Sequence, residues 1–126
     1  MASTTKNCPC GGEEHSTCCG PILNGGNAAT AEALMRSRFT AFVLRRSDYL
    51  LESWASETRP PTLDLDRSLR WLRLEIVDTV DGRMFDTDGV VEFKAHYEGP
   101  LGADVLHERS TFRRHNGRWV YVSGVS

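Results

Sequence analysis

Hydrophobic residues recur at helical spacing in the first third of the chain. Six of them recur at intervals of three or four positions along one face, with two adjacent pairs among them: Ala31, Leu34, Met35, Phe39, Phe42 and Val43. This period is typical of an amphipathic helix with one buried face, and Thr30 can serve as its N-cap. Arg38 lies within the same stripe, so the predicted helix carries one charged side chain toward the interior. A second, short helix containing Trp54 is predicted to begin at Ser47, and residues 63–69 are predicted to add a helical turn.

The hydrophobic period changes to two residues after Trp71. Leu72, Leu74 and Ile76 alternate with mostly polar neighbours, which predicts a half-buried strand. Further strands are predicted at 90–98, 105–114 and 118–123. Asn116-Gly117 is a tight-turn signal between the last two. Helices followed by an antiparallel meander predict an α+β domain whose helices pack on one face of a single sheet.

The third predicted strand places two polar residues on its interior face. Glu108 and Ser110 share this face with Leu106 and Phe112. A buried carboxylate needs a partner, and Arg38 is the candidate because its stripe also faces the interior. We expect a bidentate ion pair between Arg38 and Glu108, either purely structural or lining a ligand pocket. The candidate pocket consists of Arg38, Trp54, Tyr97, Glu108 and Ser110.

Composition narrows the class of protein. The chain has 126 residues, of which 40% are hydrophobic and 25% charged, as in globular domains. The net charge of -2 provides no basic field, so nucleic acid is not expected as a partner. No apolar run is long enough to span a bilayer. Residues 1–7 lack the apolar stretch of a secretory signal, so we expect a cytoplasmic, reducing location.

All four cysteines lie in one short segment, at positions 8, 10, 18 and 19. Two close pairs of thiolates joined by a flexible loop suit a tetrahedral zinc ion, and Gly11 with Gly12 permits a sharp turn. We therefore expect one zinc ion bound by Cys8, Cys10, Cys18 and Cys19. The alternatives are unligated thiols, a redox centre formed by the adjacent pair, or a site in which His15 replaces one cysteine.

This segment and the predicted helix resemble a known family. Cys-Pro-Cys-Gly, a short loop and Cys-Cys-Gly resemble the SEC-C motif, the zinc-binding tail first described in the SecA translocation ATPase, with Gly12 standing where serine is usual. The resemblance narrows to YchJ-like SEC-C proteins through residues 30–43, 49–51, Trp54, 91–93 and 108–110. It implies a zinc knuckle with its linker at 1–27. It also implies a nuclear-transport-factor-2-like domain at 28–126, a cone of helices packed on a curved antiparallel sheet.

Three functions fit these features. The one we favour is a binding module with a structural zinc, a protein partner at the knuckle and a small molecule in the cone. The second is an enzyme like ketosteroid isomerase or scytalone dehydratase, with Glu108 and Tyr97 as a proton-transferring pair. The third is a thiol or zinc sensor. An enzyme requires a roomy enclosed pocket, whereas a binding module can fill its cone with side chains.

Overall fold

The computed structural model describes residues 8–11, 15 and 18–125. The path of the cysteine loop depends on Gly12, which lies outside the described residues. The predicted absence of a secretory signal rests on residues 1–7, which also lie outside them. The helices are α1 (Cys19–Leu23), α2 (Ala31–Leu44) and α3 (Ser47–Glu52). The strands are β1 (Arg70–Asp81), β2 (Asp88–Gly99), β3 (Gly102–His115) and β4 (Arg118–Val125). The α+β fold class is confirmed, as is the predicted order of α2, α3 and the four strands, but α3 ends at Glu52 and does not contain Trp54 as predicted.

Helix α2 begins and ends with local hydrogen bonds. The Thr30 Oγ1 atom accepts from the Ala33 backbone N–H at 3.0 Å, which confirms the predicted N-cap. At the other end Arg45 adopts left-handed backbone angles, with φ 59°. The Arg46 N–H then donates to the Ala41 carbonyl at 2.8 Å and closes the last turn.

The four strands form one antiparallel sheet in the order β1-β2-β3-β4. Its register places Glu108 opposite Phe93 and Tyr97 opposite Asp104. Strand β3 begins at Gly102, earlier than predicted, because Gly99 pairs directly with Gly102 across a tight turn. The β4 edge is covered by the segment that follows α3, since the Ala55 N–H donates to the Tyr121 carbonyl at 2.7 Å.

The predicted helical turn at 63–69 is wrong. Residues 62–66 form neither a helix nor a strand, and a turn follows at 67–68. Leu63 and Leu65 alternate with exposed Asp64 and Asp66 and pack against the second core described below. Burial of alternate leucines therefore outweighs the local preference for a helix.

Two hydrophobic clusters meet at α2. The larger one fills the space between α2 and the sheet and includes Leu34, Phe39, Val91, Phe112 and Trp119. The smaller one joins Cys8, Cys10, Cys19, Leu23, Ala41, Tyr49 and Leu50. The cysteine segment thus packs against α2 and α3 and shares a core with them.

The β1–β2 hairpin also approaches α2 closely. The Ala31 N–H donates to the Gly82 carbonyl at 2.9 Å. A Cβ atom at Gly89 would lie 2.5 Å from the Gly82 Cα atom, closer than packed atoms tolerate. Glycine at both positions therefore permits the hairpin to contact the first turn of the helix.

Candidate functional site

The four cysteine sulfurs form a compact cluster. All four Sγ atoms lie within 4.8 Å of one another. The Cys10–Cys18 and Cys18–Cys19 sulfur pairs are 3.6 and 3.9 Å apart, and no disulfide joins any of the four. A zinc ion bonded to four thiolates at about 2.3 Å requires sulfur–sulfur distances of about 3.8 Å. The cluster therefore has dimensions that fit a tetrahedral metal ion.

Burial disfavours the negatively charged thiolate form of these cysteines unless a cation lies beside them. Cys8, Cys10 and Cys19 are buried and Cys18 is partly exposed. Burial, the largest cause, raises the pKa of Cys18 to about 11. The hydrogen bond to Cys10, followed by burial, raises the pKa of Cys19. Four thiolates at this position therefore need a metal ion between them to offset their repulsion and desolvation.

Neighbouring polar groups hold the cysteine segment on α2. The Cys8 sulfur lies 3.5 Å from the Thr40 Oγ1 atom and 3.5 Å from the His15 Nδ1 atom. Arg36 donates to the Cys10 carbonyl at 2.9 Å and forms an ion pair with Glu32. His15 thus contacts a cysteine sulfur, while the four sulfurs are already close enough to surround an ion.

Arg38 is buried beneath the sheet, as its place in the helical stripe predicted. Only 3% of the residue is exposed. Its Nη1 atom donates to the Leu50 carbonyl at 2.8 Å and to Ser53 Oγ at 2.7 Å. Its guanidinium carbon lies 5.2 Å from the centre of the Trp54 ring and 4.6 Å from that of Tyr121. Burial is the largest influence on its pKa, which falls to about 10.

The predicted bidentate pair between Arg38 and Glu108 is wrong. Within the described residues Arg38 makes no ion pair, and the half-buried Glu108 accepts hydrogen bonds instead. Its Oε1 atom accepts from Ser110 Oγ at 2.9 Å and from the Tyr121 hydroxyl at 3.4 Å. Tyr121 therefore lies between the two charges, with its ring on the guanidinium and its hydroxyl on the carboxylate.

Two features of the sequence could have identified this arrangement. Alternation from Trp119 places Tyr121 on the interior face of β4, but the sequence prediction did not assign that face. The other feature is the glycine at position 124. A Cβ atom there would lie 2.0 Å from Glu108 Oε1, so glycine leaves room for the carboxylate beside β4. Burial, the largest cause, together with Glu108 raises the pKa of Tyr121 to about 12.

The predicted pocket residues do not all come together. Arg38, Trp54, Glu108 and Ser110 gather around Tyr121, and the Trp54 ring lies 5.1 Å from the Tyr121 ring. Tyr97 lies four residues along β2 from Phe93, the register partner of Glu108, and contacts Trp71 at 5.1 Å. The predicted Tyr97–Glu108 proton-transferring pair is therefore absent from the described residues.

Buried side chains pack between α2 and the sheet, where a cavity lined by Leu34 and Trp119 has a volume of only about 50 Å³. Phe39, Val91, Ser110 and Phe112 are each at most 2% exposed. Trp54 Nε1 is the only buried side-chain nitrogen or oxygen in the described part of the chain without a hydrogen-bond partner. The interior around Arg38 thus resembles a packed core with a polar bridge more than an open reaction chamber.

None of the helices in the described ranges is both long and apolar enough to cross a membrane.

Comparison with known proteins gives a consistent result. Residues 30–124 match the family model described as the YchJ middle NTF2-like domain. A UPF0225 protein of Streptomyces coelicolor is 53% identical over 95% of each chain, and one of Corynebacterium glutamicum is 50% identical over 94% of this chain and 96% of its own.

Solved structures agree with this comparison. The solution structure of a SEC-C motif containing protein from Rhodopseudomonas palustris has a TM-score of 0.85 and 35% identity, covering 96% of this chain and 98% of that one. A SEC-C motif containing protein from Psychrobacter arcticus has a TM-score of 0.75 and 26% identity, covering 98% of this chain and 75% of that one.

Proposed function

Because the chain belongs to the UPF0225 family of YchJ-like SEC-C proteins, we propose that it is a binding protein organised around one structural zinc ion. The observation that carries this proposal is the cluster of four cysteine sulfurs, all within 4.8 Å of one another. Cys8, Cys10, Cys18 and Cys19 would be the ligands. Zinc held by four protein ligands has no open coordination position, so its role is to fold the segment and not to activate water.

The packing of the cysteine segment supports a structural role for the metal. Cys10 and Cys19 belong to the same hydrophobic cluster as Ala41 and Leu50. A short segment of this kind gains folding free energy from metal binding, since it buries too little surface alone. We retain the division into a knuckle at 1–27 and an NTF2-like domain at 28–126 as part of the proposal, with this cluster joining the two.

The filled interior favours binding over catalysis. Arg38 is held by a carbonyl, a hydroxyl and two rings. We assign Arg38, Trp54 and Ser110 the structural task of joining α3 to β4. Glu108 is the half-buried carboxylate of this group and would be the point at which a small molecule contacts it. The site of a protein partner would be the exposed side of the knuckle, around Gly11 and Pro21.

The proposed location is the reducing cytoplasm, because zinc ligation requires reduced thiols.

Metal analysis tests the first half of this proposal. Protein purified without added zinc is expected to contain one zinc ion per chain, and the cobalt-substituted form is expected to show the spectrum of a tetrahedral thiolate site. Cys18→Ser is expected to lose the metal, whereas the surface control Ser56→Ala retains it. Metal-free protein with four reactive thiols, or a metal that carries a water ligand, would contradict a closed structural site.

Affinity capture tests the second half. The zinc-loaded chain is immobilised, captured proteins are identified by mass spectrometry, and each is purified and tested again for direct binding. A partner that binds the wild type but not Cys18→Ser supports recognition through the knuckle. Failure to obtain any partner that binds directly would argue against a protein-binding role.

A further inference from the structure

A surface groove lies between the end of α2 and the start of β1. It consists of three adjoining cavities of about 180, 210 and 340 Å³. Phe42, Arg45, Leu69 and Trp71 line two of them together, so these two cavities lie side by side. We call this feature the α2–β1 groove. Its volume is in the range of sites that accept side chains or small ligands.

The floor of the α2–β1 groove is apolar and firmly supported. It is formed by the half-buried side chains Phe42, Leu63, Leu65, Leu69 and Trp71. The Trp71 ring contacts Phe39 at 6.4 Å, Phe42 at 5.8 Å and Tyr97 at 5.1 Å. A tryptophan fixed on three sides offers apolar contact area with little conformational entropy to lose on binding.

Arginines surround this floor. Arg45, Arg67 and Arg70 line the cavities, and within the described chain none of the three makes an ion pair. Asp64 and Asp66 also line the groove. Asp66 accepts from the Ser68 hydroxyl at 2.6 Å and from its N–H at 2.9 Å, and these bonds, with a smaller contribution from Arg45, lower the pKa of Asp66. Three arginines against two aspartates leave this rim with an excess of positive charge, and such a rim beside an apolar floor is complementary to a ligand that carries both carboxylates and apolar groups.

The backbone at Arg45 gives independent support. Arg45 is the residue that follows α2 and has φ 59°, a conformation that glycine adopts at lower cost. Within the described ranges its side chain donates a single long hydrogen bond, 3.5 Å, to the Arg67 carbonyl. The arginine therefore contributes little to its own fold, while it lines all three cavities.

From these observations we infer that the α2–β1 groove binds an acidic peptide segment of a partner protein, with apolar side chains on Trp71 and its neighbours and carboxylates on Arg45 and Arg70. Three adjoining cavities suit successive side chains of an extended peptide better than one compact molecule. This inference rests on the proposed binding function, and it adds the surface and the chemistry of the partner.

Fluorescence anisotropy with a defined probe tests the inference. The probe is a short fluorescein-labelled peptide in which glutamate alternates with leucine. One control peptide has lysine in place of glutamate and another has serine in place of leucine. The zinc-loaded wild type is expected to bind the first peptide at least about tenfold more tightly than either control, and added salt is expected to weaken that binding.

Matched variants connect the signal to the groove. Arg45→Gly is expected to weaken peptide binding about tenfold while leaving the unfolding temperature unchanged or higher, because it removes a left-handed arginine. Arg70→Gln is expected to weaken binding, whereas Lys94→Gln, a loss of equal charge on the outer sheet face, is not. Leu72→Ser, at the groove, is expected to weaken peptide binding, whereas Leu101→Ser, at the β2–β3 hairpin tip, is expected to leave it unchanged.

Several outcomes would overturn the inference. These are equal peptide affinity of wild type and Arg45→Gly, equal binding of the lysine peptide, or binding of an oligothymidylate in place of the acidic peptide. If a partner is captured through the knuckle but binds Arg45→Gly and Arg70→Gln as well as wild type, the groove inference alone fails. If the chain holds no zinc and captures no partner, the proposed function fails.

Discussion

Replacing Arg38 with methionine tests whether a buried guanidinium without a carboxylate partner stabilises this fold. The substitution keeps an unbranched apolar side chain in the α2 stripe and removes the charge. It deletes the two hydrogen bonds from Nη1 to Leu50 and Ser53, and the contacts of the guanidinium with the rings of Trp54 and Tyr121. The Leu50 carbonyl then loses this donor in a buried position.

The expected loss of stability is the difference between the contacts that the substitution removes and the desolvation cost that it relieves. Hydrogen bonds from a charged donor contribute about 1.5–3 kcal/mol each, and a desolvated contact with an aromatic ring about 2 kcal/mol. Removing the charge also relieves a desolvation cost of several kcal/mol, which burial imposes and which lowers the pKa of Arg38. We expect the free energy of unfolding to fall by about 3 kcal/mol for Arg38→Met.

Urea denaturation of the zinc-loaded protein measures this change. The control is Arg73→Met, which removes an exposed arginine without an ion pair among the described residues. A double-mutant cycle with Glu108→Gln is expected to give a coupling energy below about 1 kcal/mol, because Tyr121 stands between the two charges. A loss below about 1 kcal/mol for Arg38→Met would refute this account, and a large coupling energy would restore a direct ion pair.

Three further predictions concern the metal, pH and packing. Cys18→Ser, or chelation of zinc, is expected to speed amide hydrogen exchange in α1 and at Leu50 but not in β2; equally fast exchange in β2 would show that the sheet also depends on the metal. Because burial raises the pKa of Tyr121 from 10 to about 12, the neutral folded form resists ionisation. Wild type should therefore lose stability relative to Tyr121→Phe as pH rises above 10, as denaturation at several pH values can show; parallel curves would contradict this. Gly89→Ala is expected to cost about 2 kcal/mol by overpacking against Gly82, and an unchanged urea midpoint would argue against that close contact.

Much of the fold follows from short-range patterns. The three- and four-residue spacing after Thr30 and the two-residue alternation after Trp71 predicted α2 and the sheet, since each period reports which face of one element is buried. The same reasoning correctly placed Arg38 in the interior. It failed at 63–69, where Leu63 and Leu65 fit either an irregular helix or an extended segment until their packing partners are known.

The clustering of the cysteines was also evident from the chain alone. Four thiols within twelve positions can meet without any long-range contact, so their spacing was enough to predict that the sulfurs would converge. Their surroundings were not predictable in this way. Thr40 and Leu50 reach the cluster only because α2 and α3 pack there.

Partner choice in the interior depended on the arrangement of separate elements. Local periodicity placed Arg38 and Glu108 inside, but it could not show that Ser53 and Ala55 pair with the edge of β4 at Tyr121. That pairing puts the Tyr121 ring on the guanidinium and its hydroxyl near the carboxylate. Register likewise separated Tyr97 from Glu108, because a shift of two residues along a strand changes the cross-strand neighbours without changing which face is buried. Burial is thus encoded one element at a time, whereas contacts between charged groups arise only when all the elements are assembled.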